Sequence, residues 1–187
     1  MDKEQLTNFL KHHYQKQKTI DLAKQVESGF ISINDVLQLC FHQNQQIAFR
    51  AAWLLEYAEV AAPDVFKTIV HDFLELYKTT DNASVQRHFS KIGMRLVHPN
   101  WKDFYQLTAE DLSALLEPSF DWLINPKVPV AVKCNCLDII YALSDEQDWA
   151  LEELKVVLQD FLTSSSPALI SRAKRVLYKI KRKGQRG

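Results

Sequence analysis

The sequence predicts an all-α protein, and three observations carry that prediction. Only 4 glycines and 6 prolines occur among 187 residues, too few for the many turns of an all-β fold or for a disordered chain. Helix start and stop residues recur along the chain. No segment alternates apolar and polar residues over strand length. Hydrophobic residues make up 47% and charged residues 25%, the balance of a globular protein with a core to bury.

The helices follow in order. The region 3–28 reads as helical and ends at Gly29, suited to a position just past a helix C-terminus. Ser32 caps a helix over 33–42, with Asp35 near its positive end. Asn44 caps a helix over 44–60. Pro63 opens the next, over 63–78, where its missing N–H costs little. Asp81 or Asn82 caps a helix over 83–97, and Pro99 stops it. The segment 99–107 is a longer connection or a short extra turn. Thr108 with Asp111 three residues on resembles a capping box for a helix over 108–125, which Pro118 is expected to kink or break. Helices over 129–143, 148–163 and 167–183 complete the chain, two of them announced by Pro129 and Ser166-Pro167.

These helices pair into hairpins. FRAAWLLEYA, QRHFSKIGMRLV, VKCNCLDIIYAL and SRAKRVLYKI each carry an early cation followed by an apolar series. Those cations, Arg50, Arg87, Lys133 and Arg172, are 37, 46 and 39 residues apart. A period near ~40 with two helices per unit resembles the HEAT/armadillo family. The family's Asp-then-Arg pattern is matched in part, by Asp81 with Arg87. The resemblance implies a right-handed α-α superhelix of about four HEAT-like hairpins over 32–183, within one domain spanning 1–187. Residues 1–30 would cap one end, and 184–187 would form a basic tail.

In such an array an inner helix meets its partner and both neighbouring repeats. That explains why the stretch from Ile47 to Ala58 is apolar around most of its circumference. Ile47, Ala51, Leu54 and Ala58 form the stripe expected to pack on the hairpin partner. Phe49, Trp53 and Tyr57 lie elsewhere on the same helix and are a candidate aromatic patch, either buried by the N-terminal helices or exposed. Arg50 is expected to be structural.

The net charge of zero hides an asymmetry. From Pro167 to Gly187 there are 8 Lys/Arg and no Asp/Glu, so the rest of the chain is acidic. At about 100° per residue, Arg172, Arg175, Lys179 and Arg182 share an arc roughly 125° from the apolar face of Leu169, Ala173, Val176 and Ile180. In the second repeat Arg87, Lys91 and Arg95 lie about 130° from Val85, Phe89, Ile92 and Leu96, in the same sense. These seven cations are the candidate polyanion-binding residues, since Lys/Arg along one path neutralise phosphates cumulatively. Asn135 and Asp138 interrupt the track in the third repeat, and a solvated basic face is the competing reading.

Other chemistry is poorly supported. Cys134 and Cys136 stand about 200° apart on a helix and cannot jointly chelate from it. His12 and His13 point in different directions. HExxH, GxGxxG, P-loop and GxSxG motifs are missing. The acidic cluster Asp145, Glu146, Asp148, Glu152 and Glu153 surrounds a helix start, where negative charge is favourable. NWKDFY, with Trp101 and Asp103, is similar to the Trp/Asp segment of HEAT-like alkylpurine DNA glycosylases. That resemblance implies a repair enzyme as the third expectation.

The first expectation is a non-enzymatic interaction module or scaffold binding a protein or peptide, with no cofactor and no metal. The second is nucleic-acid binding. No apolar run approaches a membrane span, and the opening MDKEQLTNFLKHHY is too polar for a signal peptide. With an odd count of three cysteines, a reduced cytoplasmic setting is expected.

Overall fold

The computed structural model describes residues 1–12, 15–164 and 166–185. His13, Arg186 and Gly187 therefore lie outside the described residues. Among the described residues there are twelve helices and no strand: α1 (Lys3–His12), α2 (Lys16–Glu27), α3 (Ile33–Leu39), α4 (Gln45–Ala61), α5 (Pro63–Lys67), α6 (Val70–Tyr77), α7 (Ala83–Leu96), α8 (Pro99–Tyr105), α9 (Ala109–Ile124), α10 (Val130–Leu143), α11 (Asp148–Ser164) and α12 (Pro167–Gly184). They group into two compact units, Met1–Ile92 and Gly93–Gly187.

Cap chemistry fixes several helix ends. Ser32 accepts from the Asp35 amide, and Asn44 accepts from the amides of Gln46 and Ile47. Asn82, rather than Asp81, takes the amides of Ser84 and Val85. Thr108 and Asp111 complete a reciprocal capping box. At the end of α2, Gly29 adopts φ +75°. Its amide reaches the Val26 carbonyl and that of Phe30 reaches Gln25, which satisfies two terminal carbonyls.

One expectation is corrected and two are resolved. The helix expected over 63–78 is two helices, α5 and α6. The Thr68 hydroxyl and amide both donate to the Val65 carbonyl, and the Ile69 amide to Phe66, so the turn tightens and the helix restarts. The segment 99–107 holds a helix, α8. His98 Nδ1 accepts from the Asn100 amide at its start, and Gln106 closes it at φ +53°. Pro118 does not break α9, which runs through it. The Ser119 hydroxyl donates to the Leu115 carbonyl at 2.7 Å, and Pro118 itself is buried.

In the first unit α4 packs against α2 and α3, with α1 and α5 also touching it. Ile47, Ala51, Leu54 and Ala58 are all buried, as the stripe required. Phe73 and Phe89 meet at 4.8 Å between ring centroids, and Phe66 lies 5.4 Å from Phe73. Each such buried ring contributes about 1.5–3 kcal/mol of hydrophobic stabilisation. In the second unit α9 packs on α10, α11 on α12, and α10 on both α11 and α12. The second members of the last two hairpins, α10 and α12, thus lie side by side, which decides which of their charged side chains meet.

Candidate functional site

The basic face of α12 meets a carboxylate. Arg172 pairs with Asp138 of α10, and Arg175 Nη2 lies 3.0 Å from the same carboxylate. Arg172 also donates to the Cys134 carbonyl at 3.4 Å. Asp138, which interrupts the basic track in the sequence, is the group that takes up two of its cations. At the helix end Lys183 pairs with Asp145.

A related arrangement occurs in the first unit. Glu56 of α4 accepts from Lys91 Nζ at 3.1 Å and faces His88 Nδ1 at 2.5 Å. Its side chain is 15% exposed. Burial raises the pKa of this carboxyl, but the hydrogen bond and charge of His88, with Lys91, outweigh burial and leave it below its ordinary value. His88 is buried, and its Nε2 has no hydrogen-bond partner. Sequence reasoning missed Glu56 and His88. The available signal was a carboxylate in a largely apolar helix, as at Asp138.

The other candidate residues are dispersed. Arg87 is exposed, and Arg95 is half-buried in the last turn of α7. Phe49, Trp53 and Tyr57 are all half-buried, so neither full burial nor full exposure describes them. Phe49 stacks on Trp53 at 6.2 Å, Trp53 meets Tyr57 edge-on at 6.1 Å, and Phe49 lies 5.4 Å from the His88 ring. Trp101 is half-buried and contacts Phe104 and Tyr105 on its own helix, while Asp103 is exposed. Arg50 donates to the carbonyls of Leu10 and Lys11 and is a structural residue.

One cleft in the second unit collects several of these groups. It has a volume of about 790 Å³ and is walled by the end of α7, by α8, by α10 and by α12. Met94, Val97, Pro99, Tyr141 and Ala142 give it a mainly apolar lining, and Arg95, Lys102, Asp103, Asp138 and Lys179 supply charge. One member of each basic stripe, Arg95 and Lys179, therefore faces the same cavity. Lys179 Nζ sits over the Tyr141 ring, 5.3 Å from its centroid, and Arg182 lies over Tyr178 at 5.7 Å.

Cys40, Cys134 and Cys136 are free and buried, and burial pushes all three thiols up, away from the thiolate form. Among the described residues no group of three His, Cys, Asp or Glu side chains is placed to hold a metal ion. No described helix is long and apolar enough to cross a membrane.

Helical hairpins whose second members pack side by side define an α-helical repeat protein. The family model described as HEAT repeat domain matches residues 6–180, and the chain belongs to that family. The match takes in α1 and α2 as well as the later hairpins. Comparison with curated proteins and with solved structures finds no match.

Proposed function

We propose that this HEAT-repeat chain is a non-enzymatic interaction module, and that it docks a segment of a partner protein in the cleft of its second unit. The observation that carries this reading is the cavity of about 790 Å³, with apolar walls and charged groups from four helices. Such a cavity suits a side-chain anchor with polar contacts around it. A phosphate track is less well supported, because Lys91, Arg172 and Arg175 each face a carboxylate. The free, buried cysteines favour a reducing, cytoplasmic setting.

The test is a photo-crosslinking amino acid placed at position 142 in the cleft or at position 174 elsewhere on α12. Position 142 should capture one recurrent protein that position 174 does not, and excess unlabelled chain should compete that adduct away. Equal capture at both positions, or crosslinks to nucleic acid alone, would overturn the reading.

A further inference from the structure

Two neighbouring features point to the chemistry of the occupant. A hollow of about 320 Å³ is lined by Tyr141, Tyr178, Lys179, Arg182 and Lys183. It shares Tyr141 and Lys179 with the apolar cleft, so the two form one continuous surface along α10 and α12. Five of the seven cations of α12 fall into two sets. Arg172, Arg175 and Lys183 meet carboxylates of Asp138 and Asp145. Lys179 and Arg182 instead lie over tyrosine rings, and both are exposed. A cation on an aromatic face keeps most of its donors available to a carboxylate from outside.

We infer that the occupant is an acidic segment of a partner protein, with an apolar side chain seated against Met94, Val97 and Tyr141 and a carboxylate held by Lys179 and Arg182. This rests on the docking reading above and adds the partner's charge and direction. Charge complementarity sets the direction. The cleft mixes Arg95, Lys102 and Lys179 with the carboxylates of Asp103 and Asp138, whereas the charged lining of the hollow, Lys179, Arg182 and Lys183, is wholly cationic, so the acidic residues lie toward the hollow. Magnitude separates this occupant from a polynucleotide. Affinity for nucleic acid rises with each phosphate neutralised, and two cations over tyrosines give a short path with little counterion release. The same two cations suffice to orient one acidic residue beside an apolar anchor, where most of the binding energy would lie.

A random-peptide display library selected on the full chain tests this. The selected peptides should combine a Leu, Phe or Trp with an Asp or Glu a few residues away. Lys179→Glu should weaken them about tenfold, by an amount that shrinks as salt rises. Lys174→Glu, the same charge change elsewhere on α12, should leave them within about twofold. Ala142→Trp, which fills the cleft, should abolish binding while the thermal midpoint stays unchanged. Peptides lost on Ala142→Trp but without acidic residues and indifferent to Lys179→Glu would overturn the acidic occupant and leave the docking cleft standing. Peptides indifferent to Ala142→Trp, or a library yielding none, would overturn both. A DNA duplex that binds the chain and is lost on Lys179→Glu would overturn the protein occupant.

Discussion

Arg50 Nη1 donates to the Leu10 carbonyl at 2.5 Å and to the Lys11 carbonyl at 2.8 Å. Both belong to the last turn of α1, whose terminal carbonyls lack partners within the helix. A guanidinium there supplies donors and a positive charge at the negative end of the helix. The one cation of this largely apolar helix thus ties the first helix of the chain to α4.

Arg50→Met should therefore destabilise the protein by about 1.5–3 kcal/mol, the range for hydrogen bonds involving a charged group. Arg50→Lys should recover part of that loss, since it keeps the charge at the helix end but not the reach and fixed geometry of the guanidinium. Urea denaturation followed by circular dichroism measures both. A midpoint unchanged in Arg50→Met would show that α1 is held by its apolar contacts alone.

Glu56 gives a pH-dependent prediction. Its carboxyl is held below its ordinary value of 4.5 because His88 and Lys91 outweigh its burial. For an acid shifted downward, the linked stability is present above the ordinary value and is lost as pH falls through the depressed one. Glu56→Gln should cost about 2 kcal/mol near neutrality. The gap between wild type and variant should close as the medium is acidified below the ordinary carboxylate range. Chemical denaturation of both proteins across that range checks the sign, and a gap that widens on acidification contradicts it.

Gly29 isolates a backbone effect. Its φ is +75°, and a Cβ built there meets nothing within 4 Å. Gly29→Ala should then lose about 1–2 kcal/mol from the left-handed conformation alone. Gly29→Asn should lose less, since Asn tolerates that region. Equal losses for Ala and Asn in thermal denaturation would point to a contact rather than to φ.

Helix identity was legible because its determinants are local. Ser32, Asn44, Thr108 with Asp111, and Pro63 act within a few residues of the ends they set. The misread elements also have local causes, but ones that depend on competition. Thr68 tightens a turn by bonding back to Val65, and buried Pro118 is carried by the packing of its helix. The site was less legible. Asp138 and its two arginines are 34 and 37 residues apart, and Glu56 is 32 residues from His88. These pairings arise only when neighbouring second helices pack. The sequence showed Asp138 as a gap in a stripe, whereas the fold makes it the stripe's counter-charge.

That reversal can be measured directly. Asp138→Asn keeps a polar group of the same shape but removes the charge that neutralises Arg172 and Arg175. If Asp138 masks those cations, the variant should bind a DNA duplex at low salt more tightly than wild type does. Freeing two cations should also steepen the dependence of log K on log salt by roughly 1.8. Glu153→Gln, which makes the same change in net charge on α11 without touching Asp138, should not reproduce the steepening. Fluorescence anisotropy across a salt series distinguishes a change in slope from a uniform gain of attraction. Equal weak binding by wild type and Asp138→Asn would mean that the arginines face away from any surface a polyanion can reach. In that case the contacts with Asp138 hold α10 to α12 and do nothing to set the charge of the face.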